Sequence, residues 1–508
     1  MKEPTHNEGV RADAGHPDRW RILAVLCAAL CIVVLDNTIL SVAVPSIGDG
    51  LGASESELQW IVAAYSLVIA GLLLPLGGVG DRTGRRRLLL CGVAGFGAAS
   101  ALAAFAGSAG QLVVARFLLG VAGAATMPAT LAVLGNVFPE HERARAIALW
   151  SGVSSVAAGG GPVVGGLLLR HFWWGSIFLV NVPVTIAVFI AAWRLVPDSR
   201  DPATPKMDVV GSLTWTVALT ALLFAVIEGG EIGWTSALVL ACFGAAAVLL
   251  VCFAWWQRRS DHPLLSPATV ADRRMQAGMV IVPVLFFAVF GLQFILTQWL
   301  QGVKGLTPLA AGAVFVPHAV AVLVGSLAST PLVERFGAMR TVVGGVAVIV
   351  AALCGAALLH TDLAPIAVAV AVLGLGVGLA CPPGVELIMG SAPPEQAGQA
   401  AGINETIVEA GGALGVAVLG SVLAAAAGGA GSIAPEHLVG PGSDGARQAF
   451  TDALTAPIWV TVGVLVVGAA VVVRRTRGTS ADRPPGGDDR GEAQAENPGE
   501  VSAGRSAS

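Results

Sequence analysis

Fourteen runs of about 20 mostly apolar residues, the length an α-helix needs to cross a bilayer, divide this 508-residue chain. They lie near 21–42, 58–78, 88–106, 111–133, 146–168, 177–195, 209–227, 235–256, 278–299, 311–332, 341–359, 364–387, 400–424 and 456–473. A span in lipid has no water to bond its amides, so runs this long predict helices. Only 12% of the residues are charged, about half the ~25% of a soluble domain. That is too few to cover a water-soluble protein of this size. The connections are short, which predicts one compact all-α polytopic bundle.

Lys and Arg orient it. An even number of spans puts both termini on one side. All Lys and Arg residues except Arg170, Lys304, Arg447 and the in-span Arg116 then fall on that side, which the positive-inside rule makes cytoplasmic. Trp20, Trp60, Trp193, Trp234, Trp255, Trp256 and Trp299 stand at span ends and are expected to form an interfacial belt,. Residues 439–447 are expected in an outer loop. Residues 474–508, rich in Pro, Gly and charge, are expected to be a disordered cytoplasmic tail,.

Several functions are disfavoured. A net charge of −4 gives no case for nucleic acid. The seven cysteines sit in apolar runs without metal-ligand spacing, so no metal or other cofactor is expected,. No Walker A sequence is present, and no enzyme chemistry stands out,. Gly374-Leu375-Gly376-Val377-Gly378 lies inside a span, where close helix packing explains it. No cleavable signal peptide is visible.

The chain repeats itself. Asp81-Arg82-Thr83-Gly84-Arg85-Arg86-Arg87 follows the second span, and Glu334-Arg335-Phe336-Gly337-Ala338-Met339-Arg340 follows the tenth. Acid, Arg, Gly and the last Arg recur at one spacing. Such a repeat predicts two related bundles with a site between them. The expected organisation is a cytoplasmic segment 1–20, a six-helix bundle 21–195, two inserted spans 209–256, a second six-helix bundle 276–473 and the tail.

Four local patterns resemble the major facilitator superfamily, in particular its fourteen-span drug:H⁺ antiporter-2 family. The Gly77–Arg87 stretch, with Gly77, Asp81, Arg82, Gly84, Arg85 and Arg86, resembles its loop signature, although Val79 stands where Leu is usual. Leu35-Asp36-Asn37-Thr38-Ile39 through Pro45 resembles the first-helix motif of the fourteen-spanners. Arg116-Phe117-Leu118-Leu119-Gly120 resembles the fourth-helix motif, with Leu119 where many relatives carry Gln. Gly161-Pro162-Val163-Val164-Gly165-Gly166 resembles the fifth-helix signature of exporters, with Ala157 in place of a preceding Gly. The resemblance implies a proton-coupled exporter of hydrophobic or cationic drugs and antibiotics. It would work as a monomer in the cytoplasmic membrane, with protons, the lipid bilayer and the small-molecule substrate as its partners.

Physical chemistry ranks these residues. Asp36 lies deep in the first span, where a charge costs roughly 2.5–3.5 kcal/mol, so a partner or a proton is expected. Arg116 is the other strong charge so deep in that half, and the two are expected to pair in proton coupling; a static ion pair is the plain alternative. Glu405 and Glu409, four residues apart beside Asn404, form a polar stripe that reads as a second proton or cation site,; Glu405 alternatively meets water near the cytoplasmic end, as does Glu386. Gly84 allows a tight reversal. Its loop, with the Glu334, Arg335, Gly337 and Arg340 counterpart, reads as a gating latch or as a basic positive-inside loop. Gly161, Pro162, Gly165 and Gly166 form a close-packing seam that Pro162 can bend. His318 is expected to be a packed, hydrogen-bonding residue, and Glu228 and Glu231 to be solvated at the outer end of the first inserted span. An exporter dedicated to one endogenous metabolite fits the same residues, and a transporter-shaped sensor is the reading from another class.

Overall fold

The computed structural model describes residues 16–199, 208–260, 263, 271–359, 362–391, 397–428 and 444–476. Most of the N-terminal segment, the tail beyond 476, the loop residues 439–443 and the side chains of Asp81 and Glu231 lie outside the described residues. Fourteen helices are long and apolar enough to span a bilayer. They are α1 (Arg19–Leu51), α2 (Glu55–Thr83), α3 (Arg85–Ala104), α4 (Ala109–Val137), α5 (Glu140–His171), α6 (Ser176–Leu195) and α7 (Val209–Ile232). The others are α8 (Ala237–Gln257), α9 (Arg273–Val303), α10 (Pro308–Phe336), α11 (Ala338–Leu358), α12 (Leu363–Met389), α13 (Ala397–Ala426) and α14 (Asp444–Arg475).

Several helices outrun their apolar stretches, because hydropathy marks only the hydrocarbon part and local capping sets the ends. α1 has 33 residues, about 50 Å at ~1.5 Å per residue. Gly52, at φ 59°, ends it in the left-handed region,. Ser54 then caps α2 in a capping box with Glu57,. Four spans are interrupted, α14 among them at Leu454. α6 breaks at Val180, where Pro183 offers no N–H to the Leu179 carbonyl, and α10 breaks at Phe315, just before Pro317,. α9 finishes in a π turn, Trp299–Val303.

The repeat seen in the loops extends to the packing. In the first half α1 packs on α5 and α6, α4 on α2 and α3, and α3 on α6. In the second half α9 packs on α13 and α14, α12 on α10 and α11, and α11 on α14. Shifting the helix number by eight converts one pattern into the other. Gly84 (φ 123°) is both the end of α2 and the start of α3; Gly337 (φ 87°) does the same for α10 and α11. A one-residue reversal at positive φ suits glycine alone, which explains why the repeat keeps it.

The halves meet along two seams related by the same shift, α2–α13 and α5–α10. Contacts gather toward the ends that carry Glu55 and Lys304. Gln301 donates to the Val42 carbonyl (2.7 Å), Gln293 to Ser41 (3.0 Å), Gln298 to Glu55 (3.4 Å) and Ser421 to Gln59 (3.4 Å). Further toward Gly84 and Gly337 the α5–α10 seam opens. Val156 and Leu323, one turn beyond the Gly159–Ala319 contact, are 76% and 60% exposed.

Candidate functional site

Asp36 and Arg116 do meet. Arg116 Nη1 donates to Asp36 Oδ2 over 2.6 Å, with both side chains essentially closed to solvent. Asn181 Nδ2 donates to the other carboxylate oxygen at 2.8 Å. Arg116 Nε donates to the Ile61 carbonyl (2.9 Å), and its guanidinium lies 4.3 Å from the centre of the Tyr65 ring. The Tyr65 hydroxyl donates to the Val33 carbonyl at 3.0 Å. Two charges removed from water are held by an ion pair and charge-assisted hydrogen bonds, while Arg116 Nη2 has no hydrogen-bond partner among the described residues,.

Local packing places each group. Gly120, one turn past Arg116, lets α4 approach α2; a Cβ there would stand 2.8 Å from the Tyr65 carbonyl oxygen. That approach brings the guanidinium to Ile61. Asn181 starts the second segment of α6, just beyond the break that Pro183 enforces,. Sequence reasoning passed over it. Its signal was an amide inside an apolar run, two residues before a proline.

The next residue along α1 faces elsewhere. Asn37 and Ser41 line a cavity between the halves with Val62, Ser66, Phe290 and Gln293. Its volume is about 20 Å³, the space of a single water. Glu409 stands behind the lining residue Ser66 and does not itself line the cavity. It is buried and hydrogen-bonds the Ser66 side chain, it lies within electrostatic range of Arg116, and its Oε2 has no hydrogen-bond partner among the described residues. Glu405 is half-buried and bonds Asn404, so the two glutamates differ in environment. Glu386 is exposed.

The exporter-like seam is a set of backbone contacts. Gly161 and Gly165 fit against Thr38 and Ile39 of α1, while Gly166 fits against Leu309 and the Pro162 carbonyl against Gly312 of α10. A Cβ on Gly166 would stand 2.5 Å from Leu309 Cα. The second half repeats this with Gly411 and Gly415 of α13 against Pro283 and Phe287 of α9. Sequence reading had not singled out that pair. Gly374, Gly376 and Gly378 pack against α10 and α11, as expected of a packing stretch, and His318 bonds the Val370 carbonyl at 3.0 Å.

The loop residues engage their own half. Gly77 lies against Pro128. Arg85 donates to the Ala132 carbonyl of α4 at 3.4 Å and Arg86 to the Trp193 carbonyl of α6; Arg82 is exposed. In the second loop Glu334, Arg335 and Arg340 are exposed, with Arg335 over the Phe336 ring.

Two expectations need correction. Glu228 is not a solvated end residue: it is half-buried and accepts a 3.0 Å hydrogen bond from Trp60 Nε1. Trp60, Trp256 and Trp299 are not simply belt residues either. Trp256 donates to Asp208 and the fully buried Trp299 to Thr451. Each indole N–H found an internal acceptor, which buried indoles require. Trp20, Trp193, Trp234 and Trp255 are exposed, as belt residues are.

Comparison with known proteins fits this architecture. The chain is 36% identical to the multidrug efflux pump LfrA of Mycolicibacterium smegmatis, over 92% of this chain and 98% of that one. It is 34% identical to the puromycin resistance protein pur8 of Streptomyces alboniger, over 92% and 94%. It is 34% identical to the tetracenomycin C resistance and export protein of Streptomyces glaucescens, over 80% and 77%. Among solved structures, an inward-facing bacterial homologue of the human lysosomal transporter Spinster shares the fold, with a TM-score of 0.66 at 17% identity, covering 92% of this chain and 98% of that one. Residues 26–416 match the family described as the Major Facilitator Superfamily. By its two six-helix halves, its family match and its relatives, the chain belongs to the major facilitator superfamily.

Proposed function

We propose that the protein exports hydrophobic and cationic drugs or antibiotics across the cytoplasmic membrane in exchange for protons, by rocking of its two halves. The observation that carries the reading is a buried Asp36–Arg116–Asn181 cluster one residue from the cavity wall, with Glu409 against Ser66 of that wall. In this reading both termini are cytoplasmic, and this conformation is closed outside by the Gly166–Leu309 and Gln301–Val42 contacts.

Asp36 is enclosed by its own half, so it acts on substrate through α1 rather than by touching it. Taking up a proton weakens its hold on Arg116 and frees α1 to shift, which moves Asn37 and Ser41. Glu409 is the carboxylate placed to meet a cationic substrate or to carry a second proton. The Arg85–Arg86 loop then serves as the cytoplasmic latch, engaged here with its own half and available to the other when the halves tilt. In this reading the chain works as a monomer, its cavity lined by both of its own halves.

Drug susceptibility of a pump-deficient host with and without the protein, followed by substrate-driven proton release in inverted vesicles, tests this. Protection with proton movement is expected. Protection without proton movement would remove the coupling role, and loss of both would remove the exporter reading. A second reading, export of one endogenous metabolite, is favoured by relatives named for tetracenomycin C and for actinorhodin; a single protected compound in the panel would select it.

A further inference from the structure

The two seams between the halves are equivalent by the repeat, yet α7 packs on both α2 and α13 and so covers one of them alone. The attachments of α7 to the two sides differ in the number of specific contacts. Toward α2, Trp60 Nε1 donates to Glu228 (3.0 Å) near one end, and Trp215 Nε1 donates to the Ala70 carbonyl (3.2 Å) further along. Thr216 also fills the notch left by Gly71. Leu219, Leu223, Val226 and Ile227 share one apolar cluster with Ala63, Leu67 and Ala70 of α2 and with Ala410, Ala413 and Ala417 of α13, and Leu414 and Val418 of α13 pack against it. Apolar packing is therefore common to both sides, and the polar and notch contacts make the difference. Toward α13 one hydrogen bond is made, Ser421 Oγ to the Val226 carbonyl at 2.8 Å.

The hairpin is also rigid in itself. Asp208 caps α7 through the Gly211 N–H (2.8 Å) and accepts from Trp256 (2.7 Å) and Gln257 (2.8 Å) of α8. The carboxylate ties the two inserted helices together where they enter and leave the bundle.

We infer that the α7–α8 hairpin is a strap fixed to the N-terminal half, with Glu228 and Trp60 as its positioning residues, which slides over the alanine face of α13 as the halves rock. Pinned at two levels on α2, it moves as part of that half. On α13 it gives up one hydrogen bond, a loss of modest cost. It roofs the α2–α13 seam in either tilt, whereas the α5–α10 seam has no such cover among the described residues. This inference rests on the rocking mechanism and goes beyond it in assigning the insert.

The test is a pair of reversible bridges in the full-length protein with its native cysteines replaced by alanine. Gly71→Cys with Thr216→Cys ties α7 to α2, and Val226→Cys with Ser421→Cys ties it to α13. Each is closed with a short bis-methanethiosulfonate linker and reopened with reductant. Ethidium export is measured in inverted vesicles. The first bridge is expected to leave most of the export, and the second to reduce it by about tenfold or more, an effect of population locking that reductant reverses. Any other pattern, including both bridges tolerated or both inhibitory, overturns the strap.

If a background variant does not export ethidium even unbridged, the exporter reading is in question and distances decide the strap separately. Spin labels at Thr235, Gly110 and Leu359 report the insert, the first half and the second half. The Thr235–Gly110 distribution is expected to be the narrowest of the three, and to broaden with Glu228→Gln plus Trp60→Phe. A Thr235–Gly110 distribution as broad as Thr235–Leu359 in the parent protein overturns the inference.

Discussion

Asp36 and Asn37 are consecutive on α1 and face different surroundings: Asp36 is bonded to Arg116 and Asn181 inside the first half, and Asn37 lines the cavity between the halves. A helix turns about 100° per residue, so one backbone segment carries both the charge cluster and part of the cavity wall. Any movement of α1 set off at the cluster reaches the cavity without a chain of intermediates.

Asp36→Asn is expected to reduce gradient-driven export to background, because the amide carries no exchangeable proton charge. It also leaves Arg116 without a counter-charge, a loss of about 3–5 kcal/mol in a buried pair. Adding Arg116→Gln should recover much of the thermal stability but none of the proton-coupled export. Recovery of both, measured on purified protein and in vesicles, would reduce the pair to a static one. Arg116→Lys should rescue poorly, since a single ammonium cannot serve Asp36 and the Ile61 carbonyl as the guanidinium fork does.

Asn181→Ala removes a hydrogen bond to a charged group, worth about 1.5–3 kcal/mol. The expected result is folded protein of lower melting temperature and weakened proton coupling, with substrate still bound. Unchanged stability together with unchanged proton release per substrate would show that Asn181 plays no part in the cluster.

Gly166→Val is expected to push α5 and α10 apart, since even a Cβ would stand 2.5 Å from Leu309 Cα. Overpacking of this kind costs about 1–3 kcal/mol, enough to move a two-state equilibrium by roughly tenfold. An impermeant maleimide should then label a cysteine at Ser41 faster from the face that carries Lys304, and export should fall. Labelling at the parent rate would show that the seam does not close this face.

Glu409→Gln should lower resistance to permanently cationic drugs by about tenfold, the effect of roughly 1.4 kcal/mol, while resistance to neutral ones changes less. Glu405→Gln, at a half-buried position, should have the smaller effect. Equal losses for cationic and neutral drugs would point to a proton role for Glu409 instead of a substrate role.

Gly84→Val and Gly337→Val place a β-branched residue at φ 123° and 87°, a strain of about 1–3 kcal/mol each. Both are expected to lower the melting temperature in detergent by similar amounts, because both occupy the same one-residue junction. A large effect at one and none at the other would mean the two junctions are not mechanically equivalent.

The sequence by itself determined the spans, the repeat and the existence of a deep charge pair. Apolar length, glycine at a positive-φ junction and the cost of a charge in lipid are local or additive quantities, and they need no knowledge of neighbours. Tertiary structure decided what those residues face. Hydropathy is nearly uniform around these helices, so nothing in the chain said which side of α1 carries Asp36 inward, or that Asn181 of α6 would reach it. Nor did it say that Glu228 would be taken up by Trp60, or that α7 would lie over one seam and not its equivalent. Helix rotation and partner choice in a bilayer are set by small-residue packing and by the few polar groups that must find partners, and both are properties of pairs of helices, not of one.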